Sequence, residues 1–433
     1  ELGRNVTRPT IAGIMGAFGA ALAAKELHLD KSTLLSAQEL KTFQHSAKPI
    51  TCNGCTNHCS LTINQFDGGR RFISGNRCSK PLGGKKEQMP DLMKYKYEKL
   101  RSLHGKGQGT GVRGRMGIPF GLNMYENLPF WFEFFTKLNF EVVLSPESSR
   151  QLYIKGQRTI PSDTVCYPAK LLHGHVLSLI EAGVDAIFYP CMSYNFDEGT
   201  SDNNYNCPVV AYYPDLIAAN IPALKDVRYI HEYFGLHRPK DFEKRAAEYF
   251  HQQFDIPKKE TIAAARAAYD AYHAYVEDIH KTGQEYIDFA RKNGYPIMVV
   301  AGRPYHMDPE INHGINDLIT GFHFVLITED SVAWHMDKQP RKVLNQWTYH
   351  ARMYNAARYV CTQEDMELIQ LVSFGCGVDA ITGDEMRSIL EQGGKLYTQL
   401  KIDDISNLGA VRIRIRSLIA AIEARKKQAS HAG

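Results

Sequence analysis

Tyr295-Pro296-Ile297-Met298-Val299-Val300-Ala301-Gly302-Arg303-Pro304-Tyr305-His306 is the stretch that decides the fold of this chain. Its apolar run, 296–301, is followed at once by a glycine and then a proline, a pattern typical of a buried strand that ends in a turn. A charge-dotted helical region, 240–292, precedes it. Because strands that alternate with helices form parallel βαβ units, this stretch predicts an α/β fold.

Similar apolar segments repeat on both sides of this stretch. We expect further strands at Met116–Phe120, Phe140–Leu144, Asp185–Tyr189, Pro208–Tyr213, His323–Thr328, Asp379–Thr382 and Lys395–Leu400. Helices are expected between or after them, at Asn123–Lys137, Lys170–Ala182 and Ala410–Arg425. The predicted fold is two doubly wound lobes, flavodoxin-like or Rossmann-like, whose chemistry lies in loops at the carboxyl ends of the strands.

Changes in composition divide the chain into further segments. The opening residues, 1–25, are predicted to form a glycine-interrupted helix that completes an element begun upstream. The remaining segments are predicted, in order, as a linker at 26–50, a four-cysteine module at 51–80, a second linker at 81–112, the first lobe at 113–235, a helical connection at 236–294 and the second lobe at 295–428.

The bulk composition excludes several classes of protein. A net charge of +4 over 433 residues is too small to indicate a nucleic-acid partner. No apolar run approaches the roughly 20 residues that span a bilayer, and Ile11–Ala24 lacks the features of a signal peptide. An odd number of cysteines, 9, argues against a disulfide framework. We therefore expect a soluble cytoplasmic protein with reduced thiols and no membrane partner.

Four of the cysteines form a compact cluster. Cys52, Cys55, Cys59 and Cys78 follow the spacing C-x2-C-x3-C-x18-C. Four thiolates on so short a segment hold either tetrahedral zinc or a 4Fe–4S cluster, and His58 is able to replace a thiolate. The spacing therefore predicts a metal site and leaves the metal open, with iron–sulfur favoured by the other cysteines of the chain.

The other five cysteines are dispersed over about 200 residues, each beside a glycine, a proline or the end of an apolar run. They are Cys166, Cys191, Cys207, Cys361 and Cys376. Buried structural cysteines are common, but five at the ends of predicted elements indicate one shared site. If the loops of both lobes face one cleft, these thiolates meet there, and soft thiolates suit an iron–sulfur cluster.

The loop after the strand at 296–301 supplies the candidate catalytic side chains. Arg303 is suited to binding an anion, and either Tyr305 or His306 is suited to acting as an acid. Their place at the carboxyl end of a parallel strand is where ligand-binding loops lie in doubly wound folds.

The chain resembles a known family in several motifs. Residues 8–22, Arg-Pro-Thr-Ile-Ala-Gly-Ile-Met-Gly-Ala-Phe-Gly-Ala-Ala-Leu, look like the C-terminal end of the actin/hexokinase-like ATPase that activates 2-hydroxyacyl-CoA dehydratases. Residues 111–425 resemble the domain fused behind such activators in long activase-related proteins. The motifs are 166–170 (Cys-Tyr-Pro-Ala-Lys), 373–377 (Ser-Phe-Gly-Cys-Gly) and 401–410 (Lys-Ile-Asp-Asp-Ile-Ser-Asn-Leu-Gly-Ala). That domain is related to the dehydratases and to double-cubane cluster proteins of anaerobic metabolism.

The resemblance implies an iron–sulfur cluster between two α/β lobes. In this group a separate or fused ATPase, carrying its own 4Fe–4S cluster, injects a low-potential electron on ATP hydrolysis. Dehydratases hold a 4Fe–4S cluster with three cysteines per subunit, whereas double-cubane proteins hold an 8Fe–9S cluster with six. The five dispersed cysteines match neither number, so the type of cluster stays open.

The sequence thus predicts an ATP-dependent iron–sulfur reductase component that reduces a small molecule, with a relay cluster in the four-cysteine module. We expect a homodimer whose partner is the ATP-hydrolysing activator. A 2-hydroxyacyl-CoA dehydratase-like lyase is the alternative enzyme. A zinc-stabilised docking or scaffold module for an ATPase is the alternative outside enzymes.

Overall fold

The computed structural model describes residues 10–26, 34–53, 59–76, 81, 89–104, 113–340, 344–373, 375–403 and 408–432. Their contacts form two units, a small one made of 1–50 with 62–74 and a large one made of 51–61 with 75–433. Within the described residues, no helix is both long and apolar enough to cross a membrane.

The small unit contains helices α1 (Met15–Glu26) and α2 (Ala37–Thr42) and a three-stranded sheet. The strands are β1 (His45–Thr51), β2 (Ser60–Phe66) and β3 (Arg71–Ser74), in the order β1-β2-β3, with β2 and β3 antiparallel. Ser36 starts α2 with a capping box, because its hydroxyl accepts from the Glu39 N–H at 3.2 Å and its own N–H donates to the Glu39 carboxylate. The segment predicted as a linker at 26–50 therefore contains regular structure.

Helix α3 (Leu92–Arg101) lies within the second predicted linker, 81–112. Asp91 caps it by accepting from the Lys94 N–H at 3.0 Å, and the apolar side chains on one face are buried, namely Leu92, Met93 and Leu100. This part of the linker is thus a packed element of the large unit, because its apolar residues recur at helical spacing.

The first lobe is a four-stranded parallel sheet with helices between the strands. In chain order it comprises β4 (Arg115–Ile118), α4 (Met124–Lys137), β5 (Glu141–Leu144), α5 (Arg150–Gly156), α6 (Tyr167–Glu181), β6 (Ala186–Phe188), α7 (Pro208–Asn220) and β7 (Arg228–Ile230). The strand order is β5-β4-β6-β7, so the direction of winding reverses between β4 and β6.

Two helices connect the lobes, α8 (Pro239–Phe254) and the long α9 (Lys258–Asn293), as predicted for this region. The second lobe then repeats the first. Its elements are β8 (Ile297–Ala301), α10 (Pro309–Asn312), α11 (Ile315–Thr320), β9 (Val325–Thr328), α12 (Thr348–Cys361), β10 (Met366–Ser373), α13 (Gly377–Gln392), β11 (Thr398–Ile402) and α14 (Leu408–Ala432). The parallel order β11-β10-β8-β9 reverses between β8 and β10. The prediction of two doubly wound lobes is confirmed.

Two predicted strands are wrong. Pro208–Tyr213 is the start of α7, and Asp379–Thr382 lies inside α13. Pro208 occupies the first turn of its helix, where a missing N–H costs nothing, and burial of one face overrides the strand preference of the valines and tyrosines that follow. The third strand of the second lobe in chain order is β10, whose apolar run is interrupted by the buried polar residues Glu367 and Gln370.

Candidate functional site

Three of the dispersed cysteines occupy the same structural position, the residue immediately before a helix. Cys166 precedes α6, Cys207 precedes α7 and Cys376 precedes α13, each with extended backbone at φ −61°, −60° and −77° respectively. The first N–H groups of a helix have no partner within it, and the helix dipole adds positive potential there. The Cys207 sulfur accepts from the Val210 N–H at 3.5 Å. These positions therefore favour negatively charged sulfur.

The three thiols lie near enough to one another for their charges to interact. Burial raises the pKa of the Cys166 thiol to about 12, and the charges of Cys207 and Cys376 contribute to this rise. Burial likewise raises the pKa of Cys207, which is also sensitive to the charge of Cys376. Since Cys166 and Cys207 belong to the first lobe and Cys376 to the second, the cluster of thiols, which we call the cysteine centre, is shared between the lobes.

Arg303 is the cation of the cysteine centre. It follows β8, Cys376 follows β10, and these strands are neighbours where the sheet reverses direction, the usual place for ligands in such folds. Its Nη2 donates to the Cys376 sulfur at 3.2 Å, and its Nη1 donates to the Ser373 hydroxyl at 3.3 Å. The residue is only 5% exposed, so its positive charge acts on the thiols with little screening by water.

Asp379 fixes the position of Arg303. Its carboxylate forms a buried ion pair with the guanidinium and accepts from the Ser373 N–H at 2.8 Å. His350 on α12 lies 3.5 Å from the same carboxylate. Burial opposes ionisation of Asp379, but the charge of Arg303 and the hydrogen bond to His350 hold its pKa well below the usual range. Asp379 therefore stays charged and locks the guanidinium in place.

Tyr305 and His306 both lie beside Arg303, but their pKa values are shifted in opposite directions. The Tyr305 ring centre lies 5.9 Å from the Arg303 guanidinium carbon, and burial, with the charges of Cys207 and Cys166, raises its pKa well above the usual value although Arg303 opposes the shift. The His306 Nδ1 accepts from the Arg303 N–H at 3.1 Å. Burial and Arg303 lower the pKa of His306 to about 3, so the ring is neutral. Of the predicted catalytic side chains, the structure places Arg303 and Tyr305 at the centre.

Residues 115–332 match the model of a protein family described as "CoA enzyme activase uncharacterised domain (DUF2229)". The match covers half of the chain. The chain belongs to this family. The CoA enzyme activase domain contains Cys166, Cys207 and Arg303, whereas Cys376 and Asp379 lie C-terminal to the matched range. No curated protein matches the chain.

Cys191, the third predicted ligand in the activase domain, lies apart from the centre. Burial raises the pKa of this thiol to about 12, and its neighbours are Asp215 on α7 and Tyr233. Asp215 comes eight residues after Cys207 in α7, which is about 12 Å along the helix axis. The structure thus gives Cys191 hydrogen-bonding partners of its own.

Cys361, the fifth predicted ligand, is the last residue of α12 and not at a strand end as predicted. Its thiol donates to the Ile389 carbonyl at 3.6 Å. His350, which reaches the Arg303–Asp379 pair, lies eleven residues earlier in α12, about 16 Å along the axis. The structure therefore does not bring Cys361 to the cysteine centre.

The four-cysteine module is described only in part. Cys55, Cys78 and His58 lie outside the described residues. The Cys52 N–H donates to the Cys59 carbonyl at 2.8 Å, so these two residues face each other across the ends of β1 and β2. Over the ranges that the structure describes, no group of three or more His, Cys, Asp or Glu side chains is arranged to hold a metal ion.

A small cavity lies beside Arg303, and two of its charged residues, Lys96 and Glu329, were missed by sequence reasoning. It is lined by Arg303, His306, Glu329 and Lys96 among others, and the centre of a water molecule has about 10 Å³ in which to lie. The His306 Nε2 and the Arg303 Nε are buried and have no hydrogen-bond partner in the described part of the chain. Glu329 accepts from the Gly302 N–H at 3.4 Å.

The sequence held a signal for one of the missed residues. Asp379 follows Cys376 by three positions, so that a helix beginning at Gly377 carries its carboxylate back toward the cysteine. His350 and Glu329 had no such local signal, because their partners are distant in the chain.

Proposed function

We propose that this chain is an iron–sulfur reductase component that accepts low-potential electrons from an ATP-hydrolysing activator and reduces a small molecule between its two lobes. The observation that carries the proposal is that three cysteines, each immediately before a helix, interact with the buried Arg303, Cys376 by a hydrogen bond and Cys166 and Cys207 through charge. Membership of a CoA enzyme activase family supports an ATP-linked role beside an acyl-CoA enzyme.

The donor set of the cysteine centre fits an iron–sulfur cluster. Thiolates are the soft ligands that such clusters require, and burial alone disfavours their charge, as the raised pKa of Cys166 shows. A bound cluster would compensate that charge. The thiolates of a cubane bind separate iron atoms, so they need not meet at a single point, in keeping with the absence of a one-ion site among the described residues.

The number of cysteines at the centre bears on the type of cluster. Three thiols meet there, whereas Cys191 and Cys361 have other partners. Three is the number that the resemblance implies for the 4Fe–4S cluster of dehydratases, and an 8Fe–9S cluster takes six. We therefore propose a 4Fe–4S cluster held by Cys166, Cys207 and Cys376.

The side chains around the thiols have separate tasks in this proposal. The cluster, when bound, supplies one-electron chemistry at low potential. Arg303 attracts negative charge that develops on a reduced substrate, and the buried Tyr305 hydroxyl, which keeps its proton because its pKa is raised, is the proton donor. The cytoplasmic location, the homodimer and the relay cluster in the four-cysteine module stay predictions.

Metal analysis of anaerobically purified protein tests the proposal. We expect about four iron and four sulfide per chain at the centre, in addition to any metal in the module. C166S, C207S and C376S should each remove this iron, while C191S and C361S, matched controls at cysteines outside the centre, should retain it. Zinc without iron would instead support a zinc-stabilised docking module, and equal iron loss from C361S would contradict the three-cysteine site.

The lyase alternative is favoured by one observation, the three-thiol count that the resemblance implies for 2-hydroxyacyl-CoA dehydratases. The two enzymes differ in whether electrons are consumed. A dehydratase-like lyase converts a 2-hydroxyacyl-CoA after a single activating electron, whereas a reductase consumes ATP with every turnover. Counting ATP hydrolysed per product in the presence of the activator distinguishes them.

A further inference from the structure

Arg303 makes hydrogen bonds to the protein through both of its terminal nitrogens. The Nη1 donates to Ser373, and the Nη2 is shared between the sulfur of Cys376 and the carboxylate of Asp379, with His350 Nε2 at 3.4 Å. All of these partners come from the second lobe. A guanidinium held so firmly is fixed in position before any ligand binds.

The contact with Cys376 affects a cluster only if this thiolate binds iron, so the inference rests on the function proposed above. A hydrogen bond to a cysteine sulfur withdraws electron density from it and stabilises the extra negative charge of a reduced cluster. Hydrogen bonds of this kind are one of the terms that set the reduction potential of iron–sulfur proteins.

We propose that Arg303 is a positioning residue that raises the reduction potential of the cluster through its hydrogen bond to Cys376, and that Asp379 holds it in the required orientation. The electron comes from the activator, and no bond forms or breaks at Arg303. The guanidinium thereby makes Cys376 different from Cys166 and Cys207, whose sulfurs are affected by Arg303 only through its charge.

Redox titration followed by EPR tests this role without an assay of activity. R303Q removes the hydrogen bond and the charge, so we expect the midpoint potential to fall by at least the equivalent of tenfold weaker electron binding, 59 mV for one electron. R303K keeps the positive charge but loses the planar guanidinium group. The midpoint potential should therefore fall by less in R303K than in R303Q. D379N should also lower the potential, because the guanidinium is no longer fixed.

The matched control is R387Q, which removes an exposed arginine of α13 about 16 Å along the helix from Cys376. It should leave the potential unchanged. Unchanged potentials in R303Q and R303K with full iron content would overturn the inference. Loss of iron from R303K would also overturn it, since Arg303 would then be needed for assembly of the cluster. Wild-type protein without iron would instead refute the proposed function, before any variant is compared.

Discussion

Glu126 on α4 of the first lobe accepts hydrogen bonds from Arg352 on α12 of the second lobe, at 2.9 Å to Nη1 and 3.2 Å to Nη2. Both residues are buried, and Arg352 also binds Glu198 from the loop after β6, at 3.0 Å to its Nε. This bidentate ion pair joins one lobe to the other, and buried pairs of this kind are sensitive to the loss of one partner.

We expect E126Q to lower the free energy of unfolding by about 3 kcal/mol, the lower end for breaking a buried pair, because Arg352 retains Glu198. Urea unfolding measures the change. The control is E285Q, which breaks the exposed pair between Lys281 and Glu285 in α9 and should change stability by less than about 0.5 kcal/mol. Equal effects of the two variants would show that the lobes do not depend on this pair.

Glu329 should make the stability of the protein depend on pH. Burial, followed by the charge of Asp330, raises its pKa from 4.5 to about 8, although Lys96 and Arg352 oppose the shift. Lys96 is paired with Asp330, so Glu329 is the carboxyl that keeps its proton. The folded state then binds more protons than the unfolded state between pH 4.5 and 8, and stability is fully present below this range and falls as pH rises through it.

The variant E329Q mimics the protonated acid and should remove this dependence. Between pH 5 and 8, the free energy of unfolding of wild type should fall relative to E329Q by up to about 1.4 kcal/mol per pH unit. Urea unfolding at several pH values measures it, with E364Q at an exposed position as the control. Parallel curves for wild type and E329Q would show that Glu329 is already ionised in the folded protein.

Gly174 allows α6 to pack closely on α5. A Cβ at this position would lie 2.0 Å from the Leu152 carbonyl oxygen, which belongs to backbone and has no freedom to move aside. G174A should therefore lower the free energy of unfolding by about 1–3 kcal/mol, the usual penalty for overpacking a core. In G383A, the control within α13, the new methyl group meets only the Tyr397 hydroxyl, at 3.1 Å. Thermal unfolding should separate the two variants clearly.

Much of the fold could be predicted because apolar runs bounded by glycine and proline mark buried parallel strands. The strands expected around 116–120, 140–144, 185–189, 296–301 and 323–328 are all present, with ends shifted by at most two residues. The prediction of strands failed where burial of polar residues changes the apolar pattern of a strand. In β10 the polar Gln370 is tolerated at the centre of a strand because Tyr397 donates to it at 2.9 Å, a partner that no local pattern reveals.

The candidate site was predicted in outline and corrected in detail. Local features, a proline or a glycine within two residues, selected Cys166, Cys207 and Cys376, and each of these lies immediately before a helix. Cys361 was selected because it follows the apolar pair Tyr359-Val360, but it ends a helix and so lies at the opposite end of its element. Sequence reasoning cannot tell which end of an element a cysteine occupies until the element itself is correctly assigned.

The sequence by itself determined the α/β class, the two doubly wound lobes and the residue types available for chemistry, since these depend on periodicity within short segments. Only the tertiary structure decided which side chains meet. Cys166 and Cys376 are separated by 210 residues, and they come together because each helix after a parallel strand begins at the carboxyl edge of its sheet. The order of strands, which local sequence does not encode, thus determines which of the candidate site residues meet, namely three cysteines and Arg303.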